Sequence, residues 1–226
     1  MKKKILFLGA SFAQIPPIKY AKRMGFYVIS CDKNQKSPGF KYCDESYPIS
    51  TIDKKEIFNL SKKLKINGIV SYISDAASPT ASYVSQKLGL PGFSMNAVST
   101  LVNKNIFRKF LKKNNFNYPK FKTFKNKKNI FKFIKKIDYP LFVKPIDSSG
   151  SKGVTKVKNK KLLFKAISEA LSYSRKKQFI VEEIIERKGF QVAGDGFVMN
   201  KKLVFRCWGD EHFNEKLNGL ITIGPS

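Results

Sequence analysis

The first 95 residues alternate short apolar runs with stretches of helical periodicity. Continuous apolar runs at residues 5–8, 26–31 and 68–72 predict strands that are buried on both faces. The segments between and after them predict helices that begin at Pro16 and Pro17, at Lys54 and at residue 79. This order of strands and helices predicts a parallel, right-handed, doubly wound unit of the α/β class.

The turn after the first predicted strand excludes one large class of cofactor-binding proteins. It reads GASFAQ and keeps only the first glycine of the GxGxxG fingerprint, which argues against NAD or FAD. Strand ends of a parallel sheet face a ligand crevice, so Gly9, Ser11, Asp32 and Asp75 are candidate crevice residues. For Asp32 and Asp75, helix capping or turn formation is an alternative that the sequence leaves open.

From residue 96 onwards, the predicted helices and strands no longer alternate in a regular βαβ order. A helix rich in Lys and Phe is predicted over residues 96–113. The remaining pattern predicts an extended segment at 121–124, helices at 129–137 and 161–175, apolar strands at 139–144 and 179–185, and a hairpin of 192–198 with 203–208. This α+β arrangement predicts two domains, residues 1–95 and 96–226.

One segment combines a buried strand, a lysine and a flexible loop. The apolar run that starts at Tyr139 ends in Lys144, and Ser148 to Gly153 follow as a Ser/Gly-rich loop. A buried ammonium needs an anionic partner, and small residues with closely spaced backbone N–H groups can wrap phosphate. Lysine and loop together predict a nucleotide triphosphate site.

The charge of the chain is strongly positive, with 44 Lys and Arg against 16 Asp and Glu, a formal net charge of +28. Nucleic-acid binding is one interpretation of this excess. However, only five of the basic residues are Arg, the Lys are spread along the whole chain, and Asn, Ile and Phe are also abundant. Proteins that bind nucleic acids commonly use Arg for their contacts, so compositional bias is the favoured interpretation of the Lys excess. We therefore expect no specific nucleic acid as a partner.

The remaining composition indicates a reduced, cytoplasmic protein. No apolar run approaches the length of a membrane span, and no signal peptide is recognised. Cys31, Cys43 and Cys207 match neither a zinc site nor a disulfide framework. His212 is the only histidine, so a mechanism that needs a histidine base is disfavoured.

Taken in order, these segments resemble the ATP-grasp ligases over nearly the whole chain. Residues 1–95 resemble the Rossmann-like pre-ATP-grasp domain with its parallel sheet, and residues 96–226 resemble part of the α+β ATP-grasp domain. The motifs that carry the resemblance are Asn103-Lys104 with Arg108, the strand YPLFVKP at 139–145, the loop SGSKGV at 149–154 and the segment VEEII at 181–185. A Walker A loop is absent, which disfavours a P-loop protein.

The resemblance implies a nucleotide clamp with ATP and Mg²⁺ as cofactors. The ATP-binding residues that it implies are Lys104, Lys144, Ser149, Gly150, Ser151, Gly153, Glu182, Glu183, Ile185 and Gln191. It further implies a ligase that activates a small-molecule carboxylate as an acyl phosphate for attack by an amine. The substrates are expected near Gly9, Ser11, Asp75 and Arg206, and no catalytic protein nucleophile is expected.

The chain also departs from the family pattern. Gln191 stands where the family usually has an acid, and no Glu-x-Asn segment for magnesium follows the hairpin, so no metal ligand is assigned. We therefore expect an incomplete ligase that binds nucleotide weakly without turnover. A non-catalytic nucleotide-binding module and a basic nucleic-acid-binding protein stay as alternatives, and a homodimer is left open.

Overall fold

The structure is a computed structural model that describes residues 1–186, 188–213 and the backbone of 222–225. The chain forms two compact units, Met1–Phe110 and Leu111–Ser226. The predicted domain boundary near residue 95 lies inside the first unit and stays a prediction. No helix in the described part of the chain combines the length and apolar character that crossing a membrane requires.

The first unit contains a four-stranded parallel sheet with the strand order β3-β2-β1-β4. Its strands are β1 (Lys4–Leu8), β2 (Tyr27–Cys31), β3 (Glu45–Tyr47) and β4 (Gly68–Val70). Its helices are α1 (Ile15–Arg23), α2 (Lys54–Leu64), α3 (Ser78–Leu88), α4 (Met95–Val102) and the start of α5 (Lys104–Lys113).

Helices cover both faces of this sheet, as the continuous apolar runs predicted. Leu6 and Leu8 of β1 pack in one buried cluster with residues of α2 and α3. Phe7, which alternates with them, packs in a second cluster with residues of α1. Because successive side chains of a strand point to opposite faces, a strand buried on both sides must be apolar throughout. The α/β prediction is confirmed.

The single helix predicted over residues 96–113 is wrong, because two helices occupy this stretch. Asn103 separates α4 from α5 with an extended backbone, φ −109° and ψ 111°. Its side-chain Oδ1 accepts a hydrogen bond from the Ile106 N–H at 3.1 Å. An Asn side chain that satisfies an otherwise unpaired N–H of the first turn favours the start of a new helix over continuation of the old one.

The second unit begins with a four-stranded antiparallel sheet in the order β5-β8-β6-β7. Its strands are β5 (Phe121–Phe124), β6 (Leu141–Pro145), β7 (Thr155–Val157) and β8 (Phe179–Glu183), and its helices are α6 (Ile130–Ile134) and α7 (Lys160–Tyr173). Val143, Val181 and Phe179 pack in one buried cluster with Ile134 and Ile167 of these helices. We call the opposite side of this sheet, which carries Phe121, Thr123, Phe142, Lys144, Ile180 and Glu182, the Lys144 face.

A second antiparallel sheet completes the described part of this unit. It consists of β9 (Gln191–Met199), β10 (Lys202–Phe213) and β11 (Thr222–Pro225), with β10 in the centre. The predicted hairpin is confirmed, and both its strands are longer than the pattern indicated. Its turn is made by Asn200 and Lys201, which have positive φ angles of 50° and 64°.

Candidate functional site

The candidate site starts from the position of Lys144 on β6. Leu141, Val143 and Pro145 are buried, whereas Phe142 and Lys144 alternate with them and are only partly buried. The two-residue period of the strand therefore places Phe142 and Lys144 together on the Lys144 face. The Lys144 side chain is 18% exposed, so its ammonium is largely removed from water.

The ammonium of Lys144 is paired with a buried carboxylate. Its Nζ lies 2.5 Å from Oε1 of Glu182, whose side chain is 1% exposed, and 4.5 Å from the centroid of the Phe142 ring. From the sequence, we predicted that this lysine has an anionic partner, and we identified that partner as a phosphate group of a nucleotide. Glu182 was assigned only to the base of a nucleotide, so sequence reasoning missed the pair. The pair keeps a desolvated cation on the strand, where an incoming anion can compete for it.

Glu183, the next residue, is hydrogen-bonded through its side chain and its backbone to Lys120, the residue that precedes β5. Its Oε1 accepts from the Lys120 N–H at 2.8 Å, and its own N–H donates to the Lys120 carbonyl at 3.0 Å. The backbone N–H that a ligand could have used is therefore engaged. Ile185 is exposed, and Gln191 is exposed at the first position of β9. Their contacts with a nucleotide stay predictions.

The loop between β6 and β7 has the backbone freedom that its composition predicted. Gly150, Ser151 and Gly153 have positive φ angles of 62°, 55° and 71°. Ser149, Gly150 and Ser151 are exposed, whereas Gly153 is buried. Because left-handed backbone is open to glycine at little cost, the sequence allows a tight loop whose tip faces solvent. Such a loop can bring its N–H groups close to a phosphate.

Gly153 also permits a close approach between the loop and α7. A Cβ at Gly153 would lie 2.8 Å from Cδ2 and 3.0 Å from Cβ of Tyr173, whereas a Cβ at Gly150 would meet nothing within 4 Å. Both glycines have positive φ angles, so alanine strains the backbone at either position. The steric conflict with Tyr173 is specific to Gly153.

We therefore expect Gly153→Ala to lower the free energy of unfolding by about 2–3 kcal/mol and Gly150→Ala by about 1 kcal/mol. Urea unfolding of both variants and the wild type measures the difference. Equal losses would show that the Tyr173 contact does not constrain the loop.

A buried acid, Asp147, holds the start of this loop. Its Oδ1 accepts from the Ser174 hydroxyl at 2.7 Å and its Oδ2 from the Lys176 N–H at 2.9 Å. Its backbone carbonyl accepts from the Arg175 guanidinium at 2.6 Å. Sequence reasoning missed Asp147, because its partners lie 27–29 residues further along the chain. An acid placed directly between a buried strand and a Gly-rich loop is the signal that could have found it.

In the first unit, the predicted crevice residues Gly9, Ser11 and Asp32 lie at the carboxyl ends of β1 and β2. Gly9 has a φ of 113°, and its N–H donates to the Cys31 carbonyl at 2.8 Å. Asp32 accepts from the N–H groups of Ala10 and Asn34 at 3.1 and 3.0 Å. The turn-forming interpretation of Asp32 is thereby confirmed.

Ser11 is tied to a buried glutamine that sequence reasoning overlooked. The Ser11 N–H and hydroxyl both donate to Oε1 of Gln14, at 3.1 and 2.5 Å. Nε2 of Gln14 donates to the Tyr72 carbonyl at 2.8 Å. Gln14 therefore joins the loop after β1 to the loop after β4 and determines the shape of this edge of the sheet.

The other predicted residues lie at separate places in the two units. Asp75 is exposed in the loop after β4, and Lys104 is the first residue of α5, both in the first unit. Arg206 is exposed on β10 in the second unit. The roles of these three residues stay predictions.

Two observations limit which side chains in the described part of the chain could take part in chemistry. Among these residues, no three His, Cys, Asp or Glu side chains form a group that could hold a metal ion. Burial raises the pKa of the Cys31 thiol to about 12 and that of the Cys43 thiol to about 11. Both are protonated at neutral pH, so neither is a ready nucleophile.

Comparison with known proteins shows what this geometry is similar to. Residues 110–205, which contain Lys144, the loop and Glu182, match the family model described as D-ala D-ala ligase C-terminus. A formate-dependent phosphoribosylglycinamide formyltransferase of Prochlorococcus marinus is 32% identical over 82% of this chain and 48% of its own length. D-alanine–D-alanine ligase B of Clostridium tetani is 39% identical over 38% of this chain and 23% of its own.

Solved structures show the same fold. N5-carboxyaminoimidazole synthetase from Staphylococcus aureus, complexed with ADP, superposes with a TM-score of 0.78 at 18% identity. The match covers 98% of this chain and 57% of that one. The chain spans about half the length of the curated relatives it matches. The order of motifs, the family match over residues 110–205 and the fold agree in their similarity to the ATP-grasp ligases.

Proposed function

We propose that this chain binds ATP as part of a ligase that activates a carboxylate for attack by an amine. The observation that carries the proposal is the largely desolvated ammonium of Lys144 at the end of β6, next to a loop anchored by Asp147. The names of the similar proteins support the reaction class, because they include a formyltransferase that depends on formate and a ligase of two alanines. A similar fold was solved with ADP.

The nucleotide contacts are proposed from the positions of the side chains. Lys144 and Lys104 would each neutralise phosphate charge, which a lysine does as a mobile point charge. Backbone N–H groups of the loop from Ser149 to Gly153 would close on the terminal phosphates. Glu182, Ile185 and Gln191 would contact the base and ribose by side-chain or main-chain groups.

The chemistry requires positioning more than a reactive side chain. In the proposed reaction an oxygen of the substrate carboxylate attacks the γ-phosphorus, and ADP leaves. The amine then attacks the acyl carbon and displaces phosphate with loss of a proton. Holding the reactants together and stabilising the developing negative charge are the contributions expected of the protein. This fits the protonated state of the Cys31 and Cys43 thiols at neutral pH.

Magnesium is proposed to enter with the nucleotide. Since the described residues contain no group of three metal-binding side chains, they offer no complete cage for the ion. Mg²⁺ commonly keeps several waters and binds phosphate oxygens with one or two carboxylates, so such a cage is not required. The ion would offset charge on the phosphates.

The substrate residues and partners are proposed on the same basis. Gly9, Ser11 and Asp75 would meet the small-molecule carboxylate and amine, and Arg206 would contact an anionic group. The absence of a specific nucleic-acid partner and the option of a homodimer stay predictions.

Thermal unfolding with nucleotides tests the binding part of this proposal. We expect MgATP and MgADP to raise the unfolding temperature, with a stabilisation of about 2.7 kcal/mol at a ligand concentration 100-fold above Kd. Magnesium phosphate at the same concentration is the control. If neither adenine nucleotide stabilises the chain beyond this control, the proposal is wrong. Release of ADP that depends on both a carboxylate and an amine would distinguish a ligase from a non-catalytic nucleotide-binding module.

A further inference from the structure

Two loops of the first unit present apolar side chains to solvent at the carboxyl edge of its parallel sheet. Phe12 lies in the loop after β1 and is 78% exposed, and Ile73 lies in the loop after β4 and is 72% exposed. Apart from Met1, they are the most exposed large apolar side chains of this unit. Single exposed apolar side chains are common, whereas neighbouring ones indicate a binding surface.

These two loops are neighbours in space as well as in strand order. β1 and β4 are adjacent parallel strands, so the loops leave the sheet at the same edge. Gln14 is buried and donates to the Tyr72 carbonyl at 2.8 Å, which joins the loops two residues after Phe12 and one residue before Ile73. The Tyr72 side chain is exposed as well. We call Phe12, Tyr72 and Ile73 the apolar edge.

The loop after β4 is held in a conformation that keeps Ile73 exposed. Ile73 has a φ of 49°, in the left-handed region that a β-branched residue adopts only at a cost. The Ser74 carbonyl accepts from the N–H groups of Ala77 and Ser78, each at 3.1 Å, and from the Ser78 hydroxyl at 3.0 Å. These bonds fix the loop directly after Ile73. Backbone strain that the surrounding structure maintains is concentrated at ligand-binding and active sites.

An acidic side chain adjoins the apolar edge. Asp75 is exposed and lies two residues after Ile73 in the same loop. Its carboxylate attracts a cation, and the apolar side chains next to it gain from being covered by an apolar group. Small-molecule sites commonly combine apolar walls with a few charged groups that fix orientation. The ligand that matches this edge therefore carries a positive charge beside an apolar group.

We propose that this edge binds an amine that carries an aliphatic or aromatic group. The apolar group would lie against Phe12, Tyr72 and Ile73, and the ammonium would pair with Asp75. These side chains would then determine which amine is accepted. Because the amine is the attacking group of the proposed reaction, this inference rests on the proposed function and specifies the class of its amine substrate.

Titration of the full chain with matched small molecules tests this assignment. The probes are phenethylamine, ethanolamine and phenethyl alcohol, each added in the presence of MgADP and followed by calorimetry. Ethanolamine keeps the ammonium without the aromatic group, and phenethyl alcohol keeps the aromatic group without the ammonium. We expect phenethylamine to bind at least about tenfold more tightly than either of the others, because it alone satisfies both the apolar edge and Asp75.

Ile73→Asn is the most informative variant, since Asn tolerates left-handed backbone and has no apolar side chain. It should raise the Kd of phenethylamine about tenfold. It should also raise the unfolding temperature of the protein without ligand, because it relieves backbone strain. Phe12→Ala should weaken phenethylamine binding as well. The matched control is Met24→Asn, since Met24 is exposed between α1 and β2 at the amino edge of the sheet, and its Kd should equal that of the wild type.

Equal Kd values for phenethylamine and ethanolamine would overturn the inference. An Ile73→Asn protein that binds phenethylamine like the wild type would overturn it too, and so would one that unfolds at a lower temperature, which would show that Ile73 supports the fold. An MgADP titration of the same proteins tests the nucleotide site separately. If the wild type binds MgADP but none of the probes, only this inference fails. If it does not bind MgADP, the proposed function fails and this inference fails with it.

Discussion

Replacing Lys144 with methionine is expected to lower the free energy of unfolding by about 3 kcal/mol, because it removes the ammonium from a buried carboxylate. The ion-pair partner, Glu182, has a side chain that is 1% exposed and cannot recover the loss by hydration. Urea unfolding at neutral pH measures the effect. Lys156→Met is the matched control: Lys156 is opposite Phe142 on the neighbouring strand and is exposed, so its loss should change stability by less than about 0.5 kcal/mol.

The double variant Lys144→Met/Glu182→Gln separates stability from binding. Replacing both charges by neutral groups of similar size should restore most of the stability. Removing one partner leaves the other charge buried and without its ion pair, whereas removing both partners leaves no such charge. Anion binding should stay lost, because no ammonium remains at the end of β6. A single Lys144→Met variant as stable as the Lys156→Met control would contradict the view that Lys144 holds a buried carboxylate.

Asp147→Ala is expected to lower the free energy of unfolding by about 2–3 kcal/mol, because one buried and one partly buried donor lose their acceptor. These donors are the Ser174 hydroxyl and the Lys176 N–H. The substitution should also weaken nucleotide binding, since Asp147 holds the start of the loop that is proposed to close on phosphate. Chemical unfolding and an MgADP titration measure the two effects.

The control for Asp147→Ala is Asp138→Ala, an exposed acid that lies before β6. We expect this control to unfold and bind like the wild type. Loss of stability at Asp147 without any change in MgADP affinity would show that the anchor supports the fold but not the loop's proposed role.

Most of the fold could be predicted from hydrophobic pattern because burial on both faces demands continuous apolar strands. β1 and β2 lie within a residue of the predicted bounds. The helix at 96–113 was wrong because periodicity alone does not reveal that Asn103 caps a new helix. β3 was missed because its three residues, Glu45, Ser46 and Tyr47, form no apolar run.

The parts of the candidate site that lie within one segment could be predicted from the sequence. Contacts between residues of different segments were harder to predict. Lys144 and the glycine loop were found because a charged residue ending an apolar strand and a cluster of small residues are local signals. The Lys144–Glu182 pair, the Asp147 anchor and the Gln14 bridge join residues 38, 27–29 and 58 positions apart. The pairing of strands and the packing of the loops that follow them create these contacts, and a single sequence states neither.

The most direct test of the central claim is a calorimetric titration of MgATP into the wild type and into the stable Lys144→Met/Glu182→Gln variant. The Lys144 face is proposed as the nucleotide site, so the wild type should bind one equivalent and the variant should lose at least about 100-fold in affinity, about 2.7 kcal/mol. Binding of MgATP with equal affinity by both proteins would contradict the claim.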